Sequence, residues 1–529
     1  MPVGAPAFLH FYKMSARVKK ILLLLLAAAL LAGSGRIQTS LNQDRARLHL
    51  TRTAAPLADA PPMLAFTAVA LGGFRGLISN YLWIHANDLQ QNDKYFEAAQ
   101  LADWITDLEP HFSQVWIFEA WNMAFNISVE FKDFSDRWHW VQQGIELLRD
   151  KGLAYNPNEL SLYQQLAWFF QFKLGDNLDD ANMYYKRQWA EEMTPFFGPQ
   201  GTNFSELLKP STAAARARVQ LFRQKYKMDP VFAQKVDEKW GPLDWRLPEA
   251  HAIYWAALGL EEAKKDPEKA KEFDLEALRR VIYQSLLQAF YHGRLVINPF
   301  TKTYELYPNL AVIPKVNDAY AETLKAAGPD YHDNVARAWR YFLENAVYFL
   351  YEDNRLNEAA KWYRYLGRKY PDDPLLSNVP NSRASQLTLD QYVIARVQED
   401  IGSNVSRDRI TAAVEGLLTH AYDALAIGED DQYAGYKLLA AKVYENYQNK
   451  IADWKEGLER KGLPPFAEMN RTVLDQLLDP QQGLPFAARA VLRTQLSLPA
   501  ETNATSAATV TNTPPAEAAS TNAAPATGK

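Results

Sequence analysis

The stretch SNYLWIHANDLQQNDKYFEAAQLADWITDLEPHF, Ser79–Phe112, decides how the rest of the chain is read. Leu82, Ala86 and Leu89 recur at i, i+4 and i+7, the spacing of one helix face. Tyr95, Ala98, Leu101, Ile105 and Leu108 form a second such stripe after a break at Asn92-Asp93. Small Ala86 and Ala98 let two helix backbones approach closely, and Pro110 ends the second helix at Glu109. The stretch is therefore predicted to be an antiparallel helical hairpin. A lone hairpin cannot bury its apolar face, so this one predicts neighbours.

The layout resembles a tetratricopeptide repeat, whose pattern places a small residue in each helix and a closing proline after the second. Two later stretches carry the same resemblance. Trp255, Leu258 and Gly259 reproduce a W-x2-L-G core, with Glu262 where the pattern has tyrosine. In Arg340–Pro371, Leu343, Val347 and Leu350 line one helix, Asn354-Arg355 make the turn, and Ala359, Tyr363 and Leu366 line the next. Directly after the first stretch, Trp116, Ala120 and Met123 start a second unit and Leu160, Tyr163, Leu166, Ala167 and Phe170 a third. The interval from Pro110 to Pro157 is 47 residues rather than 34, so the repeats are stretched. The fold class implied is all-α: a right-handed α-solenoid of TPR-like helical hairpins with irregular insertions, preceded by an N-terminal membrane segment.

That segment is read from charge and hydropathy. Lys13, Arg17, Lys19 and Lys20 precede Ile21–Gly33, an apolar run with five consecutive leucines. Basic residues before an apolar run predict a cytoplasmic N-terminus and a chain that continues outside, in a periplasm-like compartment. The run is short against the ~20 residues that span a bilayer. Two readings stay open, a signal peptide cut near Ala32-Gly33-Ser34 and a retained signal-anchor flanked by Lys19, Lys20 and Arg36.

The predicted organisation is a basic segment over 1–20, the membrane segment over 21–35, a linker over 36–62 and a first repeat block over 63–194. An irregular insertion with a basic helix follows over 195–248, with Ser211 as its cap. A second block over 249–375 contains the runs Leu295–Ile297 and Leu310–Ile313, read as a small β-hairpin. Further helices fill 376–496: Leu389–Ile401, Ser406–Ile427 capped by Ser406, and Asp431–Ile451. The Ala/Thr/Pro-rich tail over 497–529 is too poor in apolar bulk to fold.

Composition excludes several functions. A net charge of −5 over 529 residues lacks the basic excess of a nucleic-acid protein, and the absence of cysteine removes thiol and Cys-type metal chemistry. H-E-x-x-H, G-x-S-x-G and G-x-G-x-x-G are absent, and the P-loop spacing of Gly457 and Gly462 fails at Leu463. No catalytic, cofactor or metal residue is assigned, and the chain is read as a non-enzyme. Asp179-Asp180 reads as helix capping rather than a cation site.

In a tetratricopeptide hairpin the first helix shows one stripe to a concave groove that binds peptide segments. Counting along the units puts Asn80, Trp83, Asn87 and Gln90 there in the first, Gln114, Ile117 and Trp121 in the second, and Ser161, Gln164 and Trp168 in the third. Trp121 and Trp168 are equivalent positions and either bind a partner or wedge between units. Asp244, Trp245 and Arg246 lie in a proline-framed segment that either presents a binding edge or plugs the gap between two blocks. The function expected is a membrane-anchored scaffold that assembles envelope proteins. A cell-wall glycan-binding protein or enzyme, or a subunit of a transport or secretion complex, are the alternatives.

Overall fold

The computed structural model describes residues 16–47, 75–268, 270–326, 329–376, 382–401, 407–452 and 462–501. The Ser406 cap and residues 502–529 lie outside them. The chain is mostly helical. It divides into two compact units, residues 1–85 with 104–109, and residues 86–103 with 110–529.

The first unit contains helix α1 (Ala16–Arg47) and most of the first turns of α2 (Arg75–Gln91). Among the described residues no helix is long and apolar enough to cross a membrane.

The second unit opens at the hairpin turn expected from Asn92-Asp93. Asp93 takes φ +59° and the Lys94 N–H donates to the Leu89 carbonyl at 2.9 Å, leading into α3 (Tyr95–Leu108). Ala86 and Ala98 are both fully buried, as the close approach of two helices there requires.

The next two units repeat one pattern. Helix α4 (Ser113–Trp121) runs into a π-helical segment, Asn122–Ile127, and is followed by α5 (Phe134–Glu146). Helix α5 also ends in a π segment, Leu147–Gly152; helix α6 (Leu160–Trp168) runs into another, Phe169–Leu174, placed as in α4, and is followed by α7 (Asn182–Phe197). Starts and ends of the two α–π helices are offset by the same 47 residues that separate Pro110 from Pro157. The Trp116 indole N–H donates to the Pro110 carbonyl and the Tyr163 hydroxyl to the Pro157 carbonyl, both at 2.9 Å. Each proline thus starts its unit with the same clasp.

The insertion holds α8 (Ala213–Lys225) and α9 (Pro230–Trp240). The cap of α8 is Thr212, whose hydroxyl accepts from the Ala215 N–H at 3.0 Å, not Ser211. The second block then packs directly on the third unit, since α10 (Pro248–Ala263) and α11 (Glu272–His292) both lie against α6. Gly259 makes that approach possible: a Cβ there would stand 2.8 Å from the Tyr163 Cβ and 3.1 Å from Leu278.

The small hairpin pairs differently from the expectation. Strand β1 (Arg294–Ile297) pairs antiparallel with β2 (Tyr304–Tyr307), Leu295 facing Leu306 and Val296 facing Glu305. Asn298 closes the loop by accepting from the Phe300 and Thr301 N–H groups. Leu310–Val312 is instead a 3₁₀ turn, capped by the Asn309 side chain, that leads into α12 (Ile313–Ala326). Pro314 in the first turn suits a helix start, where its missing N–H has no partner to lose.

Helices α13 (Pro329–Glu352) and α14 (Leu356–Lys369) form a hairpin with Asn354 at φ +53° in its turn. After α15 (Leu389–Ile401), helices α16 (Arg407–Ile427) and α17 (Asp430–Ala452) pair around Gly428 at φ +87°. Short helices α18 (Phe466–Leu477) and α19 (Phe486–Gln495) both pack on α16. One continuous apolar cluster runs through this unit from Trp116 to Leu492.

The tail begins later than residue 497. Leu498 packs on the core, and Glu501 accepts two hydrogen bonds from the buried Arg489 guanidinium, at 2.9 and 3.0 Å. Truncation after Glu501 is expected to leave the melting temperature unchanged. Truncation after Leu496 removes the partner of a buried cation and is expected to lower it, a difference that thermal melts of the two proteins measure.

Candidate functional site

The two α–π helices bring Trp121 and Trp168 together, with ring centroids 5.1 Å apart and planes 10° from parallel. Two further rings join them, each four residues on from a tryptophan. Phe125 lies 4.3 Å from Trp121 and 5.2 Å from Trp168, and Phe172 lies 4.6 Å from Trp168. All these planes are within 25° of parallel. A π segment begins directly after each tryptophan. The i,i+4 spacing keeps each Trp–Phe pair on one helix face, and π segments recur at functional sites.

The four rings are unequally covered. Trp121 is 36 % exposed, whereas Trp168, Phe125 and Phe172 are half-buried. Trp121 is thus the open outer ring of the stack and Trp168 the more covered one. Phe125 and Phe172 escape a reading limited to tryptophans, although Trp-x3-Phe recurs at the 47-residue interval.

A buried charge cluster supports this face from below. The Lys173 ammonium lies 5.0 Å from the Phe125 ring centre and donates to Asp179 at 2.6 Å and to the Ser128 hydroxyl at 3.3 Å. Arg137 pairs with Asp179 at 3.3 Å and with Asp180, and the Tyr185 hydroxyl donates to Asp179 at 3.2 Å. Burial lowers the Lys173 pKa, partly countered by Asp179. Burial raises the Asp179 pKa, but the Lys173 hydrogen bond, the Ala181 N–H and the nearby cations outweigh it and hold the carboxyl below its ordinary value. Asp179 accepts from the Ala181 N–H at 2.9 Å in the turn before α7, so the expected capping is not made: the cap position is Ala181, with no side-chain cap, and the remaining Asp179 lone pairs are taken by side chains of the protein.

The other residues expected to line a groove are distributed as follows. Asn87, Gln90, Ile117, Ser161 and Gln164 are half-buried and Gln114 is exposed. Asn80 and Trp83 belong to the first compact unit, where Asn80 is exposed and Trp83 half-buried.

The reading of Asp244, Trp245 and Arg246 as a binding edge is corrected. Trp245 is fully buried, and Asp244 and Arg246 are buried beside it. The Trp245 ring stacks on Phe197 at 5.4 Å and meets Phe204 and His251 edge-on, while its N–H donates to Asp237 at 3.0 Å. Arg246 gives two hydrogen bonds to Asp244, at 2.8 and 2.6 Å, one to the Leu295 carbonyl at 2.7 Å and one to the Pro199 carbonyl. Asp244 also accepts from the Leu295 N–H at 3.0 Å. The pair therefore ties three segments distant in sequence into one core, the insertion loop, the segment before α10, and β1. Gly201 admits it, with φ +71° and no space for a Cβ, which would fall on the Asp244 carboxyl. An open depression of about 440 Å³ lies beside the pair, but the Asp244 and Arg246 groups in its wall are already satisfied by the protein.

Among the described residues no three His, Asp or Glu side chains converge as metal ligands. No protein-family model matches the chain, and neither the curated proteins nor the solved structures show a significant match to it. The resemblance to tetratricopeptide repeats accordingly rests on the residues quoted above.

Proposed function

We propose that this chain is a scaffold of stretched, TPR-like hairpins stacked as a right-handed solenoid, which binds an extended segment of another protein across the Trp121–Trp168 face. The observation that carries the reading is the repetition of Trp-x3-Phe on two α–π helices 47 residues apart, with the outermost ring open to solvent. Successive units that present the same aromatic step suit a ligand that is itself repetitive along its length, and an extended peptide has that property. Gln114, Gln164, Asn87 and Gln90 supply amides that can pair with its backbone. The basic residues before Ile21–Gly33 support export of the bulk of the chain, with the apolar run holding it at a membrane surface.

The two tryptophans separate binding from packing. Trp121→Ala is expected to reduce peptide affinity by ~2 kcal/mol or more while urea unfolding stays near that of the parent. Trp168→Ala is expected to lower stability by ~3 kcal/mol, the small end of buried-tryptophan losses, because the ring is only half-buried. Isothermal titration and urea melts on both variants check this. Binding to isolated wall glycan that Trp121→Ala removes would instead place the protein among carbohydrate binders.

A further inference from the structure

Helix α2 carries an apolar stripe that the repeat scheme does not use. Leu77, Tyr81 and Ile84 stand at i, i+4 and i+7 and are 64, 69 and 70 % exposed. Between Gly76 and Asn87 the helix has no Asp, Glu, Lys or Arg. In the same compact unit, Ile21, Leu23, Leu25, Leu26 and Leu30 of α1 are each more than half exposed. At 100° per residue these five point to different sides of their helix. A groove on a protein partner covers one stripe of a helix; a hydrocarbon medium covers all sides. Lipid is thus the occupant that accounts for both exposed surfaces of this unit.

The length of the α1 run adds to the argument. Ile21–Gly33 as a helix reaches ~20 Å, against a hydrocarbon thickness of ~30 Å. A contact of that depth leaves room for a second apolar surface to share the attachment, and a stripe with an aromatic ring beside aliphatic side chains is the chemistry of the membrane interface.

We propose that the Leu77–Tyr81–Ile84 stripe of α2 is a second membrane contact, lying flat in the headgroup region of a bilayer that α1 also engages. The proposal rests on the membrane reading of the N-terminal run and adds to it a surface in the first repeat. Because the stripe is uncharged, its share of binding does not depend on salt, whereas attraction of the basic N-terminus to anionic lipid is screened.

The test uses the full chain and sedimentation with vesicles of phosphatidylcholine and phosphatidylglycerol, at low and high salt. Leu77→Ser/Tyr81→Ser/Ile84→Ser is expected to weaken binding at least about tenfold at both salt concentrations, with the melting temperature unchanged because the side chains are exposed. Leu23→Ser/Leu25→Ser/Leu26→Ser is expected to weaken it also, and the combined variant to abolish it. Binding unaltered by the α2 variant but lost in the α1 variant would overturn the stripe and leave the N-terminal reading standing. Binding unaltered by the α1 variant but lost in the α2 variant would do the reverse. A lowered melting temperature in the α2 variant, or loss of self-association in sedimentation equilibrium with vesicle binding intact, would assign the stripe to the protein itself or to a second copy and overturn the proposal.

Discussion

Arg246→Ala is expected to destabilise the protein by ~3–5 kcal/mol, the usual cost of breaking a buried ion pair from one side. The side chains of Arg246 and Asp244 are 3 and 5 % exposed. Without the guanidinium, Asp244 keeps two backbone N–H partners, from Arg246 and Leu295, at 3.1 and 3.0 Å. It loses the two charge-assisted bonds that offset its desolvation, and the Pro199 and Leu295 carbonyls lose a donor. Removing both charges costs less than removing one, because no unpaired charge is left. Asp244→Leu/Arg246→Met is therefore expected to recover a large part of the loss. Urea midpoints of the single and double variants decide the matter. A midpoint for Arg246→Ala equal to that of the parent would mean that the pair does not hold the insertion loop to β1.

The second large effect is a pH dependence at the start of α10. Burial pushes the Glu249 carboxyl up to about 7, partly relieved by its own backbone N–H and by Lys186 and reinforced by Asp244. Its Oε2 has no hydrogen-bond partner among the described residues. The folded protein thus keeps this proton up to about pH 7, while the unfolded chain releases it near 4.5. The contribution of Glu249 to stability is full below pH 4.5 and is lost as the pH rises through 7. The displacement corresponds to ~3 kcal/mol.

His251, two residues on, works in the opposite direction. Its Nε2 donates to the Trp245 carbonyl at 2.9 Å, and burial brings its pKa down to about 4. Its contribution is full above pH 6.5 and is lost as the pH falls through 4. In the parent protein the two slopes largely cancel between pH 4.5 and 6.5. Glu249→Gln is expected to expose the His251 slope, with stability falling as the pH is lowered across that window. An unchanged pH profile in Glu249→Gln would show that the carboxyl is ionised in the folded protein.

What the residues disclose in advance depends on whether the signal is local. Turn markers are local: Asp93, Asn354 and Gly428 each take the left-handed backbone that Asp, Asn and Gly tolerate. The 47-residue interval is also visible, because prolines and tryptophans punctuate it. The π segments are not, since an added residue per turn leaves apolar spacing nearly intact and has no composition of its own. The burial of Asp244–Trp245–Arg246 is equally hidden, because its partners Pro199, Gly201 and Leu295 lie 43 to 51 residues away. The pairing of the β-hairpin is hidden for a simpler reason. Tyr304–Tyr307 alternates an acid with aromatics and an aliphatic, which reads less like a strand than the aliphatic run after Pro308.

The central claim is that an extended peptide binds where Trp121 stands on Trp168. Its most direct test is selection from a library of random linear peptides on the full-length protein, followed by titration of the enriched peptides against Trp121→Ala. The account predicts peptides with apolar or aromatic side chains at recurring intervals, whose affinity falls by ~2 kcal/mol or more in the variant. Enriched peptides that bind the parent and Trp121→Ala equally would contradict it.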